Sequence, residues 1–136
     1  MNQVKKAKIA ANLKPVLKKY GVKGTLAVRH HSTIVLNIKS GPIDFVENHL
    51  KACKHQYADH PERARYVREK KYLDVNPYWY HEHFDGVAKQ FLKDVMEQMY
   101  SADWYDKSDI QTDYFNTAYY VDVNIGKWSK PYEVVK

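Results

Sequence analysis

The stretch "KGTLAVRHHSTIVLNIKSGP", Lys23 to Pro42, alternates twice with a period of two. Leu26 and Val28 alternate with Thr25, Ala27 and Arg29. After His30-His31-Ser32, Ile34, Leu36 and Ile38 alternate with Thr33, Val35, Asn37 and Lys39. Side chains on a strand point to opposite faces in turn, so each half has one apolar face. Two such runs joined by a short polar link predict a β-hairpin. Its second face displays Arg29, Asn37 and Lys39, and a sheet of this kind needs helices to cover the first.

Helical stripes lie on both sides of the hairpin. Ile9, Leu13, Val16, Leu17 and Tyr20 share one face of a helix over Val4–Tyr20, with Gly21 as its stop. Pro15 inside that helix predicts a kink or break near Asn12 to Lys14. Gly41-Pro42 ends the second strand and places proline near the first position of a helix. That helix carries Phe45, Val46, Leu50, Cys53 and Tyr57 inward and ends at His60-Pro61. "ERARYVREKK", Glu62 to Lys71, reads as a charged connection or a helical turn. "YLDV", Tyr72 to Val75, is a short strand.

Asn76-Pro77 reads as a cap and first turn of a long helix. Its stripe is Phe84, Val87, Phe91, Val95 and Met99. Asp103 to Asp113 is a polar acidic loop, and Tyr114 to Asn116 belongs to a strand or turn. Tyr119, Val121, Val123 and Ile125 alternate with Tyr120, Asp122 and Asn124, which predicts a further strand. The last ten residues, 127–136, read as a tail or short edge strand. The expected fold is a single α+β domain over 1–136. It has a small, mostly antiparallel sheet, built from the N-terminal hairpin and the C-terminal strand, packed against about three helices.

Charge is distributed unevenly. The first 43 residues hold nine Lys or Arg and no Asp or Glu. Residues Tyr72 to Gly126 hold three lysines and ten carboxylates. A net charge of +6 favours a polyanionic partner, while the asymmetry favours pairing of basic with acidic surfaces. One cysteine, Cys53, rules out an intrachain disulfide and fits a reducing, cytoplasmic setting. No apolar run approaches the roughly 20 residues that span a membrane, so no membrane partner is expected. The N-terminus lacks the apolar core of a secretory signal.

The stretch from Ala7 to Phe45 resembles the large polyvalent protein-associated domain family, the twenty-ninth of that numbered series. The resemblance lies in a lysine-rich helix, the strands "GTLAVRH" and "STIVLNIKS", and Gly41-Pro42. It implies an α+β fold and a phage or mobile-element origin, hence the cytoplasm of a host cell. It brings no catalytic residues.

Several groups invite a chemical reading. His81-Glu82-His83 suggests a metal-binding protein or metal-dependent enzyme. On a helix, residues two apart point roughly 200° apart, so His81 and His83 diverge, and His81 faces Asp85 instead. We therefore assign no metal and no cofactor. His30-His31 reads as a polar turn. Asp103, Asp106, Asp109 and Asp113 lack the pattern of a calcium loop. Serines are few and unpatterned and no glycine-rich phosphate loop occurs, so no catalytic residue is assigned. The expected activity is binding of a protein partner or self-association, because Tyr, Trp and Arg dominate interface hot spots. Nucleic acid is the alternative partner. The contact residues for either are Arg29, Lys39, Arg63, Arg65, Arg68, Tyr78, Trp79 and Tyr80.

Overall fold

The computed structural model describes residues 3–102, 104, 119–127 and 129–135. Among these the chain runs α1 (Gln3–Tyr20), β1 (Lys23–Arg29), β2 (Thr33–Gly41), α2 (Phe45–Ala52), α3 (Lys54–Tyr57), α4 (Pro61–Lys70), β3 (Leu73–Val75), α5 (Tyr80–His83), α6 (Gly86–Met99), β4 (Tyr120–Ile125) and β5 (Glu133–Val134). The mixed helix and strand content is that of an α+β protein. The sheet, however, is mixed and not mostly antiparallel. Its order is β1-β2-β4-β3, with β5 also on β2. The pairs β1–β2 and β3–β4 are antiparallel, while β4 and β5 both run parallel to β2. The reason is the long passage between β2 and β4. It carries α2 to α6, and a crossover of that kind brings the chain back in the same direction.

Register sets the two faces. Leu26, Leu36 and Val123 align across the sheet, as do Val28, Ile34 and Val121. Leu73 and Val75 join this face from β3. Together with Ile9, Leu13, Phe45, Leu50, Phe91, Leu92 and Val95 from the helices they form one apolar core. The phenyl ring of Phe45 stands at its centre, 5.5 Å from Phe91 and edge-on to Tyr132 at 5.3 Å. Among the described residues the other face of the sheet carries no helix.

The helices differ from expectation at four places. First, α1 continues through Pro15 without a break. Proline removes one bond to the carbonyl of Ala11, and both residues are exposed, so water can satisfy that oxygen. The end of α1 is as expected. Gly21 takes φ +68°, its amide donates to Lys18 O, and Val22 N donates to Leu17 O, a Schellman closure. Second, Pro42 does not begin α2. Asp44 does, its carboxylate accepting from Glu47 N at 3.1 Å.

Third, "ERARYVREKK" is a full helix, α4, opened by Pro61 and closed by Lys71 in the left-handed region. Its composition hides this because it buries no residue completely. Fourth, the long helix from Asn76 is two helices. Asn76 does not cap the first of them: its Oδ1 accepts from Tyr78 N and Trp79 N in a turn that precedes α5, whose N-cap is Trp79 with no side-chain bond. After one turn, Phe84 and Asp85 become extended, with φ −138° and −141°. Asn48 of α2 replaces the lost helical bonds, donating to Asp85 O and accepting from Asp85 N. The break lets Phe84 enter the core beside Phe45. It also resets the stripe, so Val87 is exposed while Ala88, Leu92 and Met96 are buried.

The C-terminal residues are built into the fold. Tyr132 is buried, its hydroxyl donating to Ile43 O at 2.7 Å, and β5 pairs with Ser40 and Gly41. The short-strand reading of 127–136 describes them better than a tail does. Residues 105–118, which include the acidic loop with Asp106, Asp109 and Asp113 and the expected strand or turn at Tyr114 to Asn116, lie outside the described residues, as does Asp103.

Candidate functional site

The uncovered face of the sheet follows from the same register. Thr25, Asn37, Asn124 and Asp74 form one row across it, and Arg29, Thr33 and Tyr120 another. Its carboxylates are held internally. Asp122 accepts from Arg29 at 2.8 Å, and Asp74 accepts from the Tyr72 hydroxyl at 2.9 Å. That second bond, with burial, raises the pKa of the Tyr72 phenol. Arg29 and Lys39 share this face, as the alternation predicts. They stand at opposite ends of it, roughly 20 Å apart along the strand.

At the hairpin-tip end, exposed aromatic rings gather. Tyr78, Trp79 and Tyr120 are each more than half exposed. Tyr78 and Tyr120 line a small hollow of about 160 Å³ with Tyr100, Trp104 and Tyr119. Tyr100 packs edge-on to Trp104 at 5.0 Å, and burial pushes its phenol up to about 12. Tyr80 turns the other way, half-buried against the core. The three adjacent aromatics therefore do not act as one surface.

At the other end a cleft of about 560 Å³ opens at the carboxyl ends of the parallel strands β2 and β4. Lys39 lines it with Lys127 and Lys130. The last two sit on a tight turn, where each amide donates to the other's carbonyl. None of the three lysines makes an ion pair among the described residues. Reading the sequence misses Lys127 and Lys130. The available signal was two lysines three apart just before Pro131, at the end of a strand.

The arginines of α4 belong to the helical layer. Arg68 forks onto Glu47, with Nε at 2.9 Å from Oε1. Arg63 lines a groove of about 510 Å³ with Gln56, Tyr57 and Tyr66. Arg65 is exposed. The expected contact residues therefore lie on three surfaces: the open sheet face, α4, and the link from β3 to α5.

His81 and His83 also part. The ring of His81 lies near Trp79 and Tyr80, and that of His83 stands edge-on to His49. His49 is the better-anchored histidine. Its Nδ1 is 3.0 Å from His83 O and its Nε2 2.9 Å from the Tyr57 hydroxyl. A carbonyl only accepts, so Nδ1 donates and, in the neutral ring, Nε2 accepts from Tyr57. Burial lowers the His49 pKa, which favours that neutral form. The expected contact between His81 and Asp85 does not arise, because α5 ends at His83. Among the described residues no three His, Cys, Asp or Glu side chains gather to hold a metal ion. Nor is any described helix long and apolar enough to cross a membrane.

A further feature concerns the edge of the sheet. Among the described strands β1 pairs only with β2. Beyond that ladder, no backbone bond to residues 24–29 occurs among the described residues. Between β1 and α1 runs a groove of about 310 Å³, lined by Ala10, Leu13, Lys14, Leu17, Leu26 and Leu36. Its wall is apolar and its rim is lysine. No known protein family, curated protein or solved structure matches the chain.

Proposed function

We propose that this is a non-enzymatic accessory protein that captures an extended segment of an acidic protein partner by strand addition to β1. The observation that carries the reading is the open edge of β1 beside the α1–β1 groove. Alternate N–H and C=O groups of an edge strand point outward and offer a ready ladder. The groove takes one apolar side chain of the added strand. The basic character of the first 43 residues, which contain no carboxylate, selects for acidic neighbours of that anchor. A phage or mobile-element origin, implied by the resemblance of residues 7–45, is part of the same reading.

A displayed library of random peptides tests it. The enriched peptides are expected to share a Leu, Ile or Phe anchor flanked by Asp or Glu. Ala10 is exposed on the groove wall, so Ala10→Trp fills the groove with little effect on folding. That variant is expected to weaken the selected peptides at least tenfold. Peptides without acidic residues, or binding unchanged in Ala10→Trp, would count against the reading.

A further inference from the structure

The cleft at the ends of β2 and β4 lies on a different surface from the β1 edge and has its own chemistry. Lys39, Lys127 and Lys130 bring three ammonium groups to one hollow. Thr25, Asn37 and Ser129 line it as well, adding hydroxyl and amide donors. The Oδ1 of Asn37 accepts from Asn124, which leaves its own amide N–H groups to donate elsewhere. Among the described lining residues Glu133 is the one carboxylate, against three lysines. Open sheets with parallel strands bind ligands at the carboxyl ends of those strands, where this cleft lies.

From the cleft the uncovered face leads to Tyr120. Ile38 pairs with Ile125 at one end and Thr33 with Tyr120 at the other, about 17 Å apart. The residues between on this face are Asn37 and Asn124, the buried Val35, and Asp122, which is paired with Arg29. Tyr120 and Tyr78 then present exposed rings. A row of phosphates followed by flat rings matches this sequence of surfaces. We propose that the open face of the sheet binds single-stranded nucleic acid, with phosphodiester groups in the lysine cleft and a base stacked on Tyr120.

Single strands suit this surface better than duplexes do, because stacking on tyrosine needs an unpaired base. An acidic peptide satisfies the lysines but leaves the rings unused. Each lysine that neutralises a phosphate contributes about −0.7 to the slope of log affinity against log salt for single strands. Three lysines therefore give a slope of about −2.

The test is fluorescence anisotropy with oligothymidine of about ten nucleotides, a length within the usual range of single-strand sites. Binding at low salt with a slope near −2 is expected. Combining Lys39→Ala, Lys127→Ala and Lys130→Ala should weaken binding at least tenfold and flatten the slope by about 2. Tyr120→Ala should weaken it at least fivefold. The charge-matched set Lys51→Ala, Lys54→Ala and Lys89→Ala should change it less than threefold. All six lysines are exposed, and a thermal melt checks that each variant folds. The proposal fails if the oligonucleotide does not bind, or if both lysine sets weaken it equally. It fails too if a duplex or a poly-glutamate peptide binds as tightly. Failure here leaves the β1 edge untouched, since Ala10 and Leu26 lie on the other side of the sheet's hairpin.

Discussion

Tyr132→Ala will destabilise the protein by about 4 kcal/mol, lowering its melting temperature by roughly 15 °C. The ring is buried, edge-on to Phe45, and its hydroxyl donates to Ile43 O. Burial is also what raises the pKa of this phenol well above its ordinary value. Truncation loses the transfer free energy of an aromatic ring and leaves a cavity beside Phe45. It also orphans the Ile43 carbonyl. Tyr132→Phe isolates that last part and should cost about 1–2 kcal/mol. Total stabilities of domains run about 5–15 kcal/mol, so the alanine variant loses a large share. Urea denaturation of the two variants separates ring from hydroxyl. A loss below about 1 kcal/mol in Tyr132→Ala would mean that the C-terminal residues behave as a tail.

Gly126→Ala will cost about 3 kcal/mol. Gly126 follows β4 directly and has φ +73°, a region that residues with a Cβ rarely adopt. A Cβ there would also lie 2.5 Å from Lys71 O and 2.7 Å from Tyr132 N. Those two atoms hydrogen-bond to each other at 2.9 Å, so the methyl group would force that bond open. The turn carrying Lys127 and Lys130 would shift with it, and the lysine cleft with the turn. Gly86 provides the control. It has φ +56° but nothing within 4 Å of its would-be Cβ, so Gly86→Ala should cost only about 1 kcal/mol. Equal losses in the two variants, by thermal or urea unfolding, would contradict the crowding at Gly126.

The sheet was legible where alternation was clean. Thr25 to Lys39 predicts the β1–β2 hairpin and its outward Arg29, Asn37 and Lys39, because a period of two leaves only one assignment of faces. Tyr119 to Ile125 predicts β4 for the same reason. Strand direction was not legible. Nothing local in "YYVDVNI" says that it runs parallel to β2, since this depends on where the intervening helices carry the chain. The break at Phe84–Asp85 was hidden as well. It depends on the side-chain amide of Asn48, 37 positions earlier. The sequence of α4 suggests no more than a helical turn, because only Ala64 and Val67 pack against the core and neither is fully buried.

The candidate surfaces follow the same division. Single residues such as Lys39, Tyr78 and Trp79 were readable as exposed contact groups. Their grouping was not. Lys39 meets Lys127 and Lys130 only through the parallel pairing of β2 with β4 and β5. The α1–β1 groove depends on the packing of a helix against an edge strand, a relation between elements that no motif records.

Amide hydrogen exchange of β1, with and without a selected acidic peptide, tests the claim of strand addition most directly. In the free protein the outward amides among residues 24–28 should exchange quickly and those bonded to β2 slowly. Bound peptide should protect the outward set at least tenfold, and Ala10→Trp should abolish that protection. Protection that leaves β1 unchanged and appears on another surface would contradict the account.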